Sequence, residues 1–317
     1  MQLDPNSGIF RASIFWETMI NCHQCDSYLH ILLLFVPEGS IRFTSSECQS
    51  QEKKHMSISS QQTQPMQLVR RAMRKVPEVT IYFWIIKLLT TAMGESSSDY
   101  LVYHIDPYIA VILGGLGLLV SLVLQLLVRR YVPWIYWLAV TMVAIFGTMA
   151  ADVTHIVLHV PYIASTVFFA ITLAIIFSIW YASEKTLSIH SINTPRRELF
   201  YWATVLATFA LGTAAGDMTA ATLGLGYFAS GVLFAILFAI PALAYKLFGL
   251  NEIVAFWFAY IMTRPLGASF ADWFAKPYLG GLGLGDEKVS LVLTILIIFF
   301  VAYVTVTRKD IPVENER

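Results

Sequence analysis

Four aspartates recur in this chain at one fixed spacing, inside stretches that are otherwise apolar. Each one ends a copy of the pattern [Phe/Tyr]-Trp-x9-Gly-x4-Asp, and the copies end at Asp99, Asp152, Asp217 and Asp272. Carboxylates within hydrophobic spans are costly and usually mark the path of an ion or a substrate. The repetition therefore predicts one site built from equivalent carboxylates.

The residue after each motif glycine lies four positions before the aspartate, so on a helix the two share a face. These residues are Glu95, Thr148, Thr213 and Ala268. Carboxylate and hydroxyl oxygens together suit hard cations such as Mg²⁺, Mn²⁺ or Na⁺. Two carboxylates as close as Glu95 and Asp99 tend to share a proton, which would offer a route to proton coupling.

The fourth copy differs from the others by a permanent cation, Arg264. Its counterparts in the other copies are Thr91, Ala144 and Phe209. A guanidinium keeps its proton and needs partners inside a membrane. Asp272 lies eight residues away, about 12 Å along a helix, so the expected partner is Glu95 or Asp99 from the first copy. Lys87, the other cation within a span, is expected to extend toward the interface.

The glycines and tryptophans of the motif have structural interpretations. Small residues let helices approach closely in lipid, so packing is predicted, with a helix break as the alternative, for Gly94, Gly147, Gly212 and Gly267. Aromatic rings concentrate at membrane interfaces, so interface anchoring is predicted, with a gate lining as the alternative, for Trp84, Trp137, Trp202 and Trp257.

One constellation has the character of a transition-metal site. Asp152, His155 and His159 follow one another along the second copy, with the histidines at i and i+4. This spacing presents two imidazoles on one helical face, so these residues are candidate metal ligands. An ordinary interfacial histidine pair is the alternative.

The composition is that of a membrane protein. Of 317 residues, 57% are hydrophobic and 13% charged, with a mean hydropathy of +0.64, whereas soluble domains carry about 25% charged residues. The net charge is zero, which argues against nucleic acid as a partner. Membrane lipid is the expected partner, no cofactor is expected, and a homo-oligomer remains open.

The fold class predicted is an all-α membrane protein, with eight transmembrane helices arranged as four parallel two-helix repeats. The helices are expected near 79–98, 106–128, 133–155, 161–181, 199–221, 226–247, 252–273 and 288–307. Twelve basic residues from Arg70 to Lys309 fall on one side of these spans, against Lys276 and Lys288 on the other. Basic residues concentrate in cytoplasmic segments, so both termini are predicted to be cytoplasmic.

The repeats are expected to follow an N-terminal extension and to precede a short tail. The predicted divisions are 1–75 for the extension, 76–130, 131–185, 196–248 and 251–309 for the repeats, and 310–317 for the tail. The extension is expected to be disordered or to precede the true start, for which Met56 and Met66 are candidates. Cys22, Cys25, Cys48 and His55 are candidate metal ligands, but their spacing fits no common module, and an inert segment is the alternative.

Four tandem two-helix units, each with a tryptophan and a Gly-Thr-x-x-x-Asp-like end, resemble a known family. It is a bacterial membrane-protein family of four copies of a repeat of unknown function, labelled uncharacterised membrane-anchored proteins. The segments 147–152 and 212–217 match best, while Glu95 and Ala268 depart from the pattern. The resemblance covers about residues 75–309 and implies the architecture and a bacterial inner-membrane location, but no reaction.

The function expected from these observations is transport of a small cation, a divalent metal exchanged against protons being the concrete version. The repeated aspartates and Glu95 would line the path, together with Thr148, Thr213 and Arg264. A non-transporting scaffold or complex subunit is the alternative. A third hypothesis is an intramembrane zinc hydrolase built on Asp152, His155 and His159. The chain is otherwise expected not to be an enzyme.

Overall fold

The computed structural model describes residues 74–310, which form eight long α-helices and no strand. The helices are α1 Ile81–His104, α2 Pro107–Leu127, α3 Pro133–Asp152, α4 Tyr162–Glu184, α5 Pro195–Asp217, α6 Gly226–Phe248, α7 Glu252–Ala275 and α8 Asp286–Thr307. The expectations for the N-terminal extension and its cysteines, and for the tail after residue 310, lie outside the described residues.

Seven of these helices, α2 to α8, are long and apolar enough to cross a membrane. The eighth, α1, has 24 residues but is not among the seven. It carries Lys87, Glu95 and Asp99, and the first two side chains are buried inside the bundle. Polar side chains that point into the bundle lower the mean hydropathy of a helix, yet they are not exposed to lipid.

The helix boundaries follow from capping residues. Asp106 caps α2 by accepting hydrogen bonds from the backbone amides of Tyr108 and Ile109, and Asn251 caps α7 in the same way. Pro107, Pro133 and Pro195 occupy first-turn positions, where a missing amide proton costs nothing. These local signals explain why the eight helices lie close to the spans expected from the sequence.

Two helices continue past their motif aspartate in a wider turn. A π-helical turn, Val153–Val157, follows Asp152 at the end of α3, and another, Met218–Thr222, follows Asp217 at the end of α5. Turns of this kind occur often at functional sites because they rotate the residues that follow. The ends of α3 and α5, the first helices of repeats two and three, therefore differ from the ends of α1 and α7.

The four motif helices contact one another in a closed cycle. Helix α1 packs on α3, α3 on α5, α5 on α7, and α7 on α1 again. The other four helices lie outside this ring, each on the motif helix of the following repeat: α2 on α3, α4 on α5, α6 on α7, and α8 on α1. The outer helices are exposed along most of their length, whereas the ring helices supply the buried core.

Candidate cation site within the helix ring

Each ring helix directs one stripe of side chains toward its neighbours in the ring. The stripe takes every fourth residue from the motif aromatic to the aspartate, so each member lies about 40° around the helix from the one before it and neighbouring members pack side by side. In α1 it is Phe83, Lys87, Thr91, Glu95 and Asp99, and the first four of these are at most 2% exposed. The stripes of the other ring helices are buried in the same way, with Phe256, Asp152 and Asp217 half-buried.

At the end where the ring helices begin, the aromatic pairs form a closed circuit. The first aromatic residue of each repeat contacts the tryptophan of the next, with ring centroids 5.6 to 6.2 Å apart. The pairs are Phe83 with Trp137, Tyr136 with Trp202, Tyr201 with Trp257, and Phe256 with Trp84. The repeated [Phe/Tyr]-Trp dipeptide thus joins neighbouring repeats.

This circuit corrects the expectation that the tryptophans anchor the chain at the lipid interface. Trp137, Trp202 and Trp257 are 2 to 5% exposed and lie inside the bundle, and Trp84 is half-buried against Phe238 and Phe256. An apolar span has the same sequence signature whether an aromatic side chain faces lipid or another helix. Burial against other rings is favoured here because aromatic pairs gain energy beyond the area they bury.

The motif glycines lie where successive ring helices cross. A Cβ atom added to any one of them would overlap the next repeat, at the position three residues before that repeat's own glycine. The contacts are Gly94 on Ala144, Gly147 on Phe209, Gly212 on Arg264, and Gly267 on Thr91. All four glycines lie within continuous helix, so their role in the described structure is close approach and not a helix break.

Arg264 occupies the centre of the ring and contacts all three other ring helices. Its guanidinium pairs with Glu95 at 2.5 Å and donates to the carbonyl oxygen of Thr91 at 3.0 Å. It also donates to the hydroxyls of Thr148 and Thr213. The side chain is fully buried. The partner carboxylate comes from the first repeat, as the sequence predicts.

The two threonine hydroxyls can accept hydrogen bonds from Arg264 because they donate their own protons to backbone carbonyl oxygens. Thr148 donates its hydroxyl proton to the carbonyl oxygen of Ala144, and Thr213 donates to that of Phe209. Each hydroxyl oxygen therefore keeps its lone pairs for Arg264. The residue after the motif glycine is thus Glu or Thr in the three helices that face the guanidinium, and Ala268 in the helix that carries it.

Lys87 does not extend toward the interface, contrary to expectation. Its side chain is 1% exposed, and its Nζ atom lies 4.0 Å from the ring centroids of both Phe209 and Tyr260. Within the described residues this nitrogen has no hydrogen-bond partner. Its close contacts are therefore the faces of two aromatic rings and not a carboxylate.

Beyond Arg264 the carboxylates of different repeats converge. Carboxylate oxygens of Glu95, Asp217 and Asp272 all lie within 4.8 Å of one another, and Glu95 and Asp272 are buried. Among residues 74–310 these three form the one group of acidic, histidine or cysteine ligands with such a separation. Three oxygen donors at this separation suit a hard cation. The sequence placed these residues on one face, but only the packing brings three repeats together.

Lys276 bridges two of the repeated aspartates and was missed as a site residue. It follows α7, and its Nζ atom lies 2.8 Å from Asp99 and 2.9 Å from Asp272. Burial by itself lowers the pKa of Lys276, but the charges of Asp272 and Asp99 raise it, and the net pKa lies well above the ordinary value. Lys276 is therefore a cation at this site. Its i+4 spacing from Asp272 was the available sequence signal.

A family model described as Repeat of Unknown Function (DUF347) matches residues 82–131, 135–186, 200–249 and 255–310. The chain belongs to this family. Each DUF347 repeat comprises one ring helix and one outer helix, so the matched segments coincide with the structural repeats. No curated protein and no solved structure matches the chain.

In the second DUF347 repeat, the candidate metal ligands Asp152, His155 and His159 do not share one helical face. Helix α3 becomes π-helical after Asp152 and ends at Val157, so His159 lies beyond it with a left-handed backbone, φ 54°. His159 is exposed, while His155 is half-buried against Tyr162 and lies 3.5 Å from the Ser165 hydroxyl. The expectation that both imidazoles share one helical face with Asp152 is therefore wrong.

Two apolar cavities lie beside the ring formed by the DUF347 repeats. One, of about 620 Å³, is lined by residues such as Trp84, Phe238 and Pro241. The other, of about 810 Å³, is lined by Leu89, Phe270 and further apolar residues of α1, α6, α7 and α8. Neither is lined by the converging carboxylates, which lie inside the ring.

Proposed function

We propose that this protein is an integral membrane transporter for a small cation. The observation that carries the proposal is the convergence of Glu95, Asp217 and Asp272, whose oxygens lie within 4.8 Å of one another inside the bundle. Arg264 already pairs with Glu95 and Lys276 with Asp272, whereas Asp217 forms no ion pair with any described residue. Because a buried carboxylate is costly without a cation beside it, a bound cation would offset the desolvation of Asp217. They come from three different repeats, so a cation bound there would contact three ring helices at once.

The charges around this group leave room for a further cation. Five carboxylates, those of Glu95 and the four motif aspartates, lie close enough at this end of the ring to interact electrostatically. Arg264 and Lys276 are the cations in direct contact with them. If all five carboxylates are ionised, negative charge is in excess, which attracts cations into a site of low dielectric constant.

A divalent metal exchanged against protons is the concrete form of this proposal. Hard divalent cations such as Mn²⁺ and Mg²⁺ prefer carboxylate oxygens. Carboxylates packed this closely bind protons when the metal leaves, because neighbouring negative charges disfavour full ionisation. Proton binding and metal binding would then exclude each other at the same atoms, which is the requirement for exchange.

We further infer the orientation of the repeats in the membrane. The starts of the ring helices contact one another through the aromatic circuit, and their ends approach through Lys276, Asp99 and Asp272. These contacts favour four parallel repeats related by an axis along the membrane normal. The basic residues of the connecting segments then favour cytoplasmic termini in a bacterial inner membrane.

The decisive test compares cellular metal content for the full-length chain and its Asp217→Asn variant. Asp217 is a suitable target because it forms no ion pair with any described residue, so its neutralisation breaks no structural salt bridge. Each protein would be expressed in bacteria under mild metal loading, and total metals would be measured by elemental mass spectrometry. We expect one metal to rise or fall with the wild type and to return to the vector level with Asp217→Asn.

The matched control is Asp106→Asn, an isosteric change at the exposed N-cap of α2. Asparagine caps helices as well as aspartate does, so this variant should behave like the wild type. Membrane amounts of all three proteins would be equalised by quantitative blotting. An unchanged metal profile with the wild type, or an equal effect of wild type and Asp217→Asn, would reject the proposal.

A non-transporting scaffold is the second candidate, and the contacts of Arg264 favour it. This side chain joins all four ring helices in the way a structural cross-link would. A scaffold predicts that Asp217→Asn leaves every metal level unchanged while the protein remains folded. The experiment above therefore separates the two functions.

A further inference from the structure

The two cations that contact the carboxylates both come from the fourth repeat. Arg264 lies on the inner side of the carboxylates, eight residues before Asp272, and Lys276 lies four residues after it. The positions that correspond to Lys276 in the other repeats hold Tyr103, Ile156 and Ala221. The fourth repeat thus places one positive charge on each side of the acidic group.

The two cations differ in how firmly they are held. Arg264 is fully buried and donates to Thr91, Glu95, Thr148 and Thr213. The Lys276 side chain is 14% exposed, its only ion pairs among the described residues are those with Asp99 and Asp272, and its residue lies past the last turn of α7. The backbone at this point is fixed, because the amide of Gly283 donates to the carbonyl oxygen of Lys276 at 3.1 Å and the amide of Lys276 donates to that of Asp272 at 2.8 Å. Lys276 is therefore the less firmly held of the two cations, and only its side chain needs to move.

We infer that Lys276 is a tethered competitor for the transported cation. Its ammonium occupies a cation position between Asp99 on α1 and Asp272 on α7, and an incoming cation binds when the ammonium withdraws. This inference rests on the proposed function and adds to it the residue that sets cation affinity.

Geometry and charge both support exchange at this position. The ammonium lies within 3 Å of carboxylates on two different ring helices, and Asp272 also belongs to the converging group of three. The other groups that face Lys276 are Glu95 of α1, Asp286 at the start of α8, and the ring of Tyr227 on α6, 5.7 Å away. Arg264 pairs with Glu95, but among the described residues Asp99 and Asp272 form ion pairs with Lys276 alone, so its departure leaves those two carboxylates uncompensated.

A tethered group competes at a high effective concentration, of the order of millimolar for short tethers. Removing the Lys276 charge should therefore tighten cation binding by about tenfold or more. Arginine should have the opposite effect, because its guanidinium pairs with carboxylates through two hydrogen bonds and does not lose its proton.

The first experiment measures Mn²⁺ binding to the purified full-length protein in lipid nanodiscs, by the spin-resonance signal of free Mn²⁺. The proteins are the wild type, Lys276→Gln, Lys276→Arg and, as a matched control, Lys288→Gln, since Lys288 is exposed on α8. We expect a dissociation constant at least tenfold lower for Lys276→Gln and higher for Lys276→Arg. Lys288→Gln should match the wild type.

The second experiment replaces the missing side chain with a free ammonium ion. Ethylammonium added to Lys276→Ala should raise its midpoint of thermal unfolding and should weaken its Mn²⁺ binding. The wild type and Lys288→Ala should show neither effect at the same concentration. This measurement reports on the ammonium position without requiring any transport.

The outcomes separate the two proposals. Equal Mn²⁺ dissociation constants for the wild type, Lys276→Gln and Lys276→Arg, with no ethylammonium effect, would overturn the competitor role even if metal transport depends on Asp217. An ethylammonium effect without Mn²⁺ binding in any variant would support the exchangeable ammonium and reject the metal version of the proposed function. If Lys276→Gln does not fold, a weaker Mn²⁺ affinity in Lys276→Arg supports the inference and an unchanged one rejects it.

Discussion

At the residue scale, Arg264 shows how a residue found in one repeat alone can connect the ring helices of the other three. A guanidinium has five donors in a fixed plane. Here Nη1 and Nη2 reach acceptors on each of the other ring helices, while Nε has no hydrogen-bond partner among the described residues. Phe209, which occupies the corresponding position in the third repeat, packs against this guanidinium, with 5.4 Å between its ring centroid and Cζ of Arg264. Four identical residues at this position would bring four like charges together, so only one repeat can carry the arginine.

We predict that Arg264→Met destabilises the protein by about 3–5 kcal/mol, the range for breaking a buried ion pair by removing one partner. Glu95 would become a buried and unpaired carboxylate. Thermal unfolding in detergent, followed by the intrinsic tryptophan fluorescence, would measure the loss. The double variant Arg264→Met, Glu95→Gln should recover part of it, and a double variant no more stable than the single one would contradict this explanation.

A second residue-scale prediction concerns Asp310, which accepts a hydrogen bond from Tyr131 at 2.6 Å. Burial raises the pKa of Asp310 above its ordinary value, so the folded state favours the protonated acid. Its contribution to stability is then fully present below about pH 4 and is lost as the pH rises through the raised pKa.

Asp310→Asn should remove this component, because an amide does not titrate. The difference in unfolding midpoint between the wild type and Asp310→Asn would be measured from pH 4 to pH 8. We expect the wild type to lose stability relative to the variant across this range. A constant difference would show that Asp310 does not titrate differently in the folded state.

At the scale of the elements, close helix crossings depend on the absence of single side chains. A Cβ atom at Gly212 would overlap Arg264 and Pro265 of α7, whereas one at Gly216, a turn later on the same helix, would meet ordinary contacts at 3.8 to 3.9 Å. Helix α5 therefore contains one glycine with no room for a methyl group and, one turn later, another glycine with room for it, both beside α7.

We predict that Gly212→Ala destabilises the protein by about 1–3 kcal/mol through overpacking. Gly216→Ala should be neutral or stabilising, since alanine has the higher helix propensity. The two unfolding midpoints, measured in the same detergent, provide the comparison. Equal effects of the two substitutions would mean that the α5 and α7 contact adapts to the added methyl group.

The elements also show what the sequence alone could predict. Apolar length, capping residues and fixed spacing are local properties, and they gave the eight helices and the partner of Arg264. The cyclic order of the ring, the burial of Trp137 and the bridging role of Lys276 arise from contacts between repeats distant in sequence. A hydropathy pattern contains no information about which helix each face meets, so these features required the three-dimensional arrangement.

At the scale of the whole molecule, the inferred orientation makes a prediction about which surfaces face each side of the membrane. The described residues contain no cysteine, so cysteines can be introduced singly once Cys22, Cys25 and Cys48 are replaced by serine. Arg130 and Glu287 are both exposed, one between α2 and α3 and the other at the start of α8.

With the proposed topology, Arg130→Cys should react with a membrane-impermeant maleimide only after the bacterial membrane is opened, and Glu287→Cys should react in intact spheroplasts. Lys246→Cys, exposed at the end of α6, should behave like Arg130→Cys. Labelling of Arg130→Cys and Glu287→Cys from the same side would contradict the parallel arrangement of the repeats.

Because the contacts form a closed cycle, every repeat, including the first and the fourth, has a neighbouring repeat on both sides. The backbone amide of Glu78 donates to the carbonyl oxygen of Asp310 at 3.0 Å, so the two ends of the repeat region adjoin. Joining them with a short linker and opening the chain between Lys185 and Pro195 would give a circular permutant with the repeat order three, four, one, two. Every neighbour relation in the ring would survive, so this rearranged chain should assemble the same carboxylate group.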